Sequence, residues 1–78
     1  MREKKEWLIV TFSTTTAAMA LERYCQKENL PGRIIPLPTK ISAGCGLAWR
    51  TEPQEKDDLM ERMEREHLAW ETMHVIVL

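Results

Sequence analysis

The chain has 78 residues, 44% hydrophobic and 29% charged, which describes one small domain and excludes a second core. A chain this short buries roughly 60 to 65% of its unfolded surface, so the core is thin and self-association or a partner often completes it. Eleven Lys and Arg against twelve Asp and Glu leave a formal net charge of −1, so no general attraction for a nucleic-acid backbone or an anionic lipid surface is available, and neither is expected as a partner.

Taken in chain order, Met1-Arg-Glu-Lys-Lys-Glu6 leads into an apolar run too short for a signal-peptide core or a bilayer span. A cytoplasmic protein with no membrane segment is expected. Trp7 to Phe12 is apolar, β-branched and aromatic, the composition of a buried strand, and Ser13 with the threonines after it marks its end. Ser13 or Thr14 then caps a helix running through Asn29, with an inward stripe of Ala17, Leu21, Tyr24 and Glu28 and with Cys25 four residues beyond Leu21. Leu30-Pro31-Gly32 is its stop signal.

Arg33 to Leu37 reads as a second strand whose Pro36 cannot donate to a ladder, which confines it to an edge or a strand end. Pro38 to Gly46 is a loop, and Leu47 to Thr51 returns as a third strand. Pro53 opens a second helix reaching about Leu68, with Leu59, Met60, Met63 and His67 at helical spacing. The charged run Glu52 to Glu66 is its solvated face. Thr72 to Leu78 supplies the fourth strand.

The order β-α-β-β-α-β predicts an α+β ferredoxin-like sandwich over residues 1–78 as a single domain: a four-stranded antiparallel sheet, strand order 4-1-3-2, with two helices on one face. In that topology Ser13 to Thr16, the Cys45 loop and the His67 neighbourhood meet at one end. Strand one is apolar on both faces, Trp7 and Ile9 on one and Leu8, Val10 and Phe12 on the other. Two helices cover only one of these, so a homodimer or a docked partner is expected on the open face.

Chemistry concentrates at Cys45. Gly44 and Gly46 flank it, leaving the sulfur unshielded and the backbone able to turn successive N–H groups toward an anion. The helix start at Ser13 and Thr14 adds a partial positive charge at the same end, and Lys40 a full one, each favouring a thiolate. The plainer reading is a tight turn with cysteine as a small apolar filler. Cys25, in helical register with Leu21, is expected in the core, too far from Cys45 for a disulfide. Both thiols are read as free in a reducing compartment.

His67 and His74 show no Cys-x-x-Cys or His-x-x-x-His spacing with the cysteines, so no metal site is assigned. A Cys45–His67 nucleophile pair would need an oriented base and a cleft that so small a chain hardly provides, and His67 reads instead as a helix residue at the water line. Trp7, Trp49, Trp70, Phe12 and Tyr24 are read as core, because no aromatic alternates with Lys or Arg in the sequence as in a base-stacking platform.

Pro36-Leu-Pro38, then Ile41-Ser42-Ala-Gly-Cys45-Gly46-Leu-Ala, preceded by Thr11-Phe12-Ser13 and Ala17 to Glu22, resembles the small bacterial domains of the Putative Se/S carrier protein-like family. The likeness covers residues 7 to 51, and Ile-Ser-x-x-Cys-Gly after a Pro-x-Pro strand end is its most specific part. Thr39 stands directly after the proline where a basic residue is expected, and Lys40 follows. The resemblance implies a role near selenium or sulfur metabolism, with Cys45 carrying a persulfide or selenide between a protein donor and a protein acceptor. Ser42, Gly44, Gly46, Lys40, Ser13 and Thr14 are then the candidate binding residues, and no cofactor beyond the covalent chalcogen is implied. The alternative is a non-catalytic regulatory or interaction domain with no role for the cysteine. A stand-alone enzyme is not expected.

Overall fold

The computed structural model describes residues 4–42 and 44–78; Met1 to Glu3 of the lead-in and Ala43 of the loop motif lie outside them. Its elements are β1 (Glu6–Thr11), α1 (Thr15–Lys27), β2 (Arg33–Pro36), β3 (Leu47–Thr51), a 3-10 turn (Pro53–Glu55), α2 (Lys56–Arg65) and β4 (Met73–Val77). The strands form one antiparallel sheet in the order β2-β3-β1-β4, the expected ferredoxin-like arrangement. Pro36 ends β2, which is an edge strand, so its missing N–H breaks no ladder.

Both helices lie on the face presented by Leu8, Val10, Phe12 and Trp49, and Ala18, Leu21, Cys25, Leu59 and Met63 complete that core. The inward stripe of α1 is therefore Ala18, Leu21 and Cys25 rather than the expected Ala17, Leu21, Tyr24 and Glu28. Ala17 and Tyr24 flank it half-buried, and Glu28 is exposed. The rotation has a polar cause. The Tyr24 hydroxyl must reach the Arg62 guanidinium, which donates to it at 3.0 Å, and the Glu28 carboxylate stays in water 3.7 Å from the same guanidinium. Arg62 also donates to Asp58 at 2.9 Å, so one side chain ties α2 to α1.

The helices end alike, and earlier than the sequence suggests. Leu30 N–H donates to Cys25 O at 2.8 Å and Asn29 N–H to Gln26 O at 3.4 Å; Leu68 N–H donates to Met63 O at 2.8 Å and His67 N–H to Glu64 O at 3.3 Å. These are paired Schellman closures, and Asn29 and His67 sit at φ 57 where glycine is usual. The stop for α1 is thus Asn29, upstream of Pro31-Gly32. His67 is the exposed residue that terminates α2 and does not continue its apolar stripe.

On the opposite face Ile9, Ile41 and Ala48 form a second cluster, with Trp7, Ile35, Leu37 and Ile76 around it. Ile41 belongs to the β2–β3 loop, which folds back over the sheet and sends the Lys40 ammonium to Val77 O at 3.3 Å on the far strand. The burial of Ile9 therefore needs no second copy. The chain's own loop supplies part of the cover for which a homodimer or docked partner was expected.

Candidate functional site

The loop that crosses the open face also carries Cys45 and returns to β3 at the end of the sheet where β1 stops and α1 starts. Leu37 N–H donates to Gly46 O at 2.9 Å, closing the loop's base, and Cys45 N–H donates to Phe12 O at 3.2 Å, fastening it to the end of β1. Gly46 holds φ at 82°, a region that side chains disfavour. Gly44 is glycine for a different reason: a Cβ there would stand 3.2 Å from the Ser13 Cα and carbonyl oxygen. The convergence expected from topology is thus present for Ser13 and the Cys45 loop.

The electrostatics differ from the sequence expectation. Gly44 N–H donates to the Glu71 carboxylate at 3.3 Å, and Cys45 N–H already serves Phe12. Neither amide is free for an incoming anion, because each already donates to an acceptor within the fold. Glu71 reaches this position through the strand register, its own N–H donating to Thr11 O at 2.7 Å. Sequence reasoning missed it. A single acid between Trp70 and Thr72 has no pattern, and only its place just before β4, at the end where the loop gathers, could have marked it.

The other candidates scatter. The Thr14 hydroxyl caps α1, accepting from Ala17 N–H at 3.1 Å, so it is committed to the helix. Lys40 is engaged at Val77 and is not brought to the thiol. Ser42 and Ser13 are exposed. His67 has its only described hydrogen bond through its backbone to Glu64. Beside β1, Thr11 and Thr72 hydroxyls lie 2.6 Å apart and Thr72 bonds His74 Nε2 at 2.8 Å, which pins the start of β4. Among the described residues no three His, Cys, Asp or Glu side chains converge as metal ligands would.

The two thiols, both free, differ sharply. Cys25 is fully buried; burial pushes its thiol up to about 11, against the opposing pull of the Arg62 charge. Cys45 is half-buried, packs beside the helix-face core and donates from Sγ to Leu47 O at 3.7 Å. It is the thiol that solvent or a partner can reach. No helix among the described residues is long and apolar enough to cross a membrane.

The family model described as Putative Se/S carrier protein-like matches residues 7–75, and the chain belongs to that family. The match extends the resemblance read from residues 7 to 51 through α2 and most of β4. No curated protein and no solved structure matches the chain.

Proposed function

We propose that this domain carries sulfur or selenium on Cys45, taking it from a donor protein and delivering it to an acceptor, in the cytoplasm and without a resident cofactor. The single observation that carries the reading is the accessibility of Cys45 on a loop closed by Gly46, in a chain belonging to a family described as carriers. In the loading step the Cys45 thiolate attacks the terminal sulfur of a donor persulfide. A new S–S bond forms at Cys45, the donor's S–S bond breaks, and the donor leaves as a thiolate, so the sulfane sulfur changes hands without net oxidation. Delivery repeats the exchange with an acceptor thiolate attacking the carried atom. Selenium follows the same path as the outer atom of a selenopersulfide: the Cys45 thiolate attacks the selenium of a donor S–Se group, an S–Se bond forms at Cys45, the donor's S–Se bond breaks and the donor leaves as a thiolate.

Glu71 sets a limit on this chemistry. Its carboxylate beside Gly44 repels a second negative charge on the loop, so loading is favoured when a partner's cation neutralises it or its bond to Gly44 opens. A second reading, an interaction domain in which Cys45 is only a filler, draws on the inward Sγ contact with Leu47 O and the engaged loop amides. Intact mass after incubation with a cysteine desulfurase and cysteine separates the two. Wild type and Cys25→Ser should gain one sulfur atom, Cys45→Ser none, and Glu71→Gln should load faster than wild type. A Cys45→Ser protein that still gains sulfur, or a wild type that never does, supports the second reading.

A further inference from the structure

At the other end of β3 from the thiol loop lies a cationic corner for which the carrier reading has no use. Arg33 and Arg50 are Cα partners across β2 and β3, so two like charges leave the same face of the sheet directly opposite one another, an arrangement that costs stability unless something neutralises it. Nothing in the described fold does. Among the described residues neither guanidinium has a carboxylate within ion-pair distance, and the nearby Glu52 is taken by the Lys5 ammonium at 2.8 Å. Arg50 stacks 4.2 Å from the centre of the Trp7 ring and Lys5 lies 4.4 Å from it. The Arg50 Nε–H is buried with no acceptor, which is expensive for a charged donor. This alternation of cations with an aromatic is invisible along the chain, because Lys5, Trp7, Arg33 and Arg50 come from three strands and their flanks.

Trp7, Arg33, Arg50 and Glu52 line an open cleft of about 160 Å³, the room of on the order of five water molecules at roughly 30 Å³ each. Because Glu52 is already paired with Lys5 from beside the cleft, the two lining guanidinium groups are left as uncompensated positive charges there, although the whole chain is at −1. We infer that this cleft binds a doubly charged oxyanion of the phosphate class between the guanidinium groups of Arg33 and Arg50. Such an anion supplies the acceptor that Arg50 Nε lacks and relieves the repulsion between the two strands. The site lies ~10 Å along β3 from Leu47, counting three residues at about 3.3 Å each, so it is an anchor apart from the thiol and stands whether or not Cys45 carries anything.

The test is titration of the whole, reduced protein with inorganic phosphate at low ionic strength, followed by nitrogen-15 NMR of the Arg50 Nε–H and the Trp7 indole N–H. Saturable shifts of both signals are expected, with Arg33→Gln and Arg50→Gln each weakening binding by about tenfold and acetate binding at least that much more weakly. Glycerol 3-phosphate distinguishes the sources: tighter binding than the free ion assigns the cleft to an esterified phosphate, weaker binding to phosphate itself. Arg33 is exposed on an edge strand, so its variant keeps the fold and decides the matter if the Arg50 variant does not. Shifts that never saturate, an Arg33→Gln protein that titrates like wild type, or equal affinity for acetate would overturn the assignment.

Discussion

The two faces of the sheet draw apolar side chains from the same strands and are covered by different means. On one, Leu8, Val10, Phe12 and Trp49 meet two helices that bring Ala18, Leu21, Cys25, Leu59 and Met63. On the other, Ile9 and Ala48 are covered by Ile41 alone among buried residues, with half-buried Trp7, Ile35, Leu37 and Ile76 around it. The first cover is redundant and the second hangs on one side chain. Because Ile41 and Cys45 share a loop, lifting that loop to present the thiol would expose Ile9 and Ala48. Thiol presentation and apolar burial are thus coupled on the thin side only, and the helix face is insulated from whatever happens at Cys45.

The largest effect should come from the thick side. Leu21→Ala removes a fully buried side chain from a packed cluster and should cost about 2 to 5 kcal/mol in urea unfolding. Its effect on the alkylation rate of Cys45 should be small so long as the protein stays folded. Ile41→Ala should cost less, about 1 to 2 kcal/mol, since roughly 0.8 kcal/mol is lost per buried methylene and a loop can settle into the gap. It should also speed alkylation of Cys45. Equal costs for the two variants would mean the loop is as much core as the helices. No change in Cys45 reactivity with Ile41→Ala would uncouple the loop's two ends.

Much of this division is legible in the sequence. The element order fixes which strands are central, and the period-two split of Trp7 and Ile9 from Leu8, Val10 and Phe12 states that both faces are apolar. What covers the second face is not legible, because Ile41 sits in a loop where periodicity has no meaning and its burial follows from a fold-back of the chain. For the same reason Cys45 can be singled out while its surroundings cannot. Gly44 and Gly46 announce an unusual backbone, whereas Glu71 and Phe12 become its neighbours only through strand pairing. The cap at Thr14 is readable because capping is local. The α1 stripe lies one position from the expected one, since Ala17 and Ala18 are equivalent to a pattern and only the Tyr24–Arg62 hydrogen bond chooses between them.

Cys25 offers a smaller test of how well the thick side is sealed. Burial raises its thiol from an ordinary value of 9.0 to about 11, so the folded state holds the proton after the unfolded chain has lost it. Stability from this source is whole below pH 9 and declines as pH rises from 9 toward 11. The loss is at most about 3 kcal/mol, because each tenfold difference in proton affinity between the folded and unfolded states corresponds to about 1.4 kcal/mol. Unfolding measured across that range should therefore show wild type losing ground against Cys25→Ala, whose stability lacks this dependence. In the same range Cys25 should resist iodoacetamide while Cys45 reacts. Parallel pH curves for the two proteins, or equal alkylation of both thiols, would show that the helix-face core admits water.

The smallest expected effect concerns the end of α2 and separates a structural histidine from a chemical one. His67 adopts a left-handed conformation with φ 57, which disfavours an L side chain by roughly 1 to 2 kcal/mol, although histidine tolerates it better than most. Glycine removes that penalty but gains freedom in the unfolded chain worth about 0.5 to 1 kcal/mol, so the two changes largely oppose each other. His67→Gly should accordingly raise stability by less than about 1 kcal/mol. Asn29→Gly, at the matching position of α1, should gain less still, because asparagine adopts this conformation more readily. Since no described side-chain contact links His67 to the thiol loop, sulfur loading of Cys45 should be unchanged in His67→Gly. A variant that keeps its stability and loses loading would place the imidazole in the transfer chemistry, and a destabilised variant would mean that the ring packs at the helix end more firmly than its exposure allows.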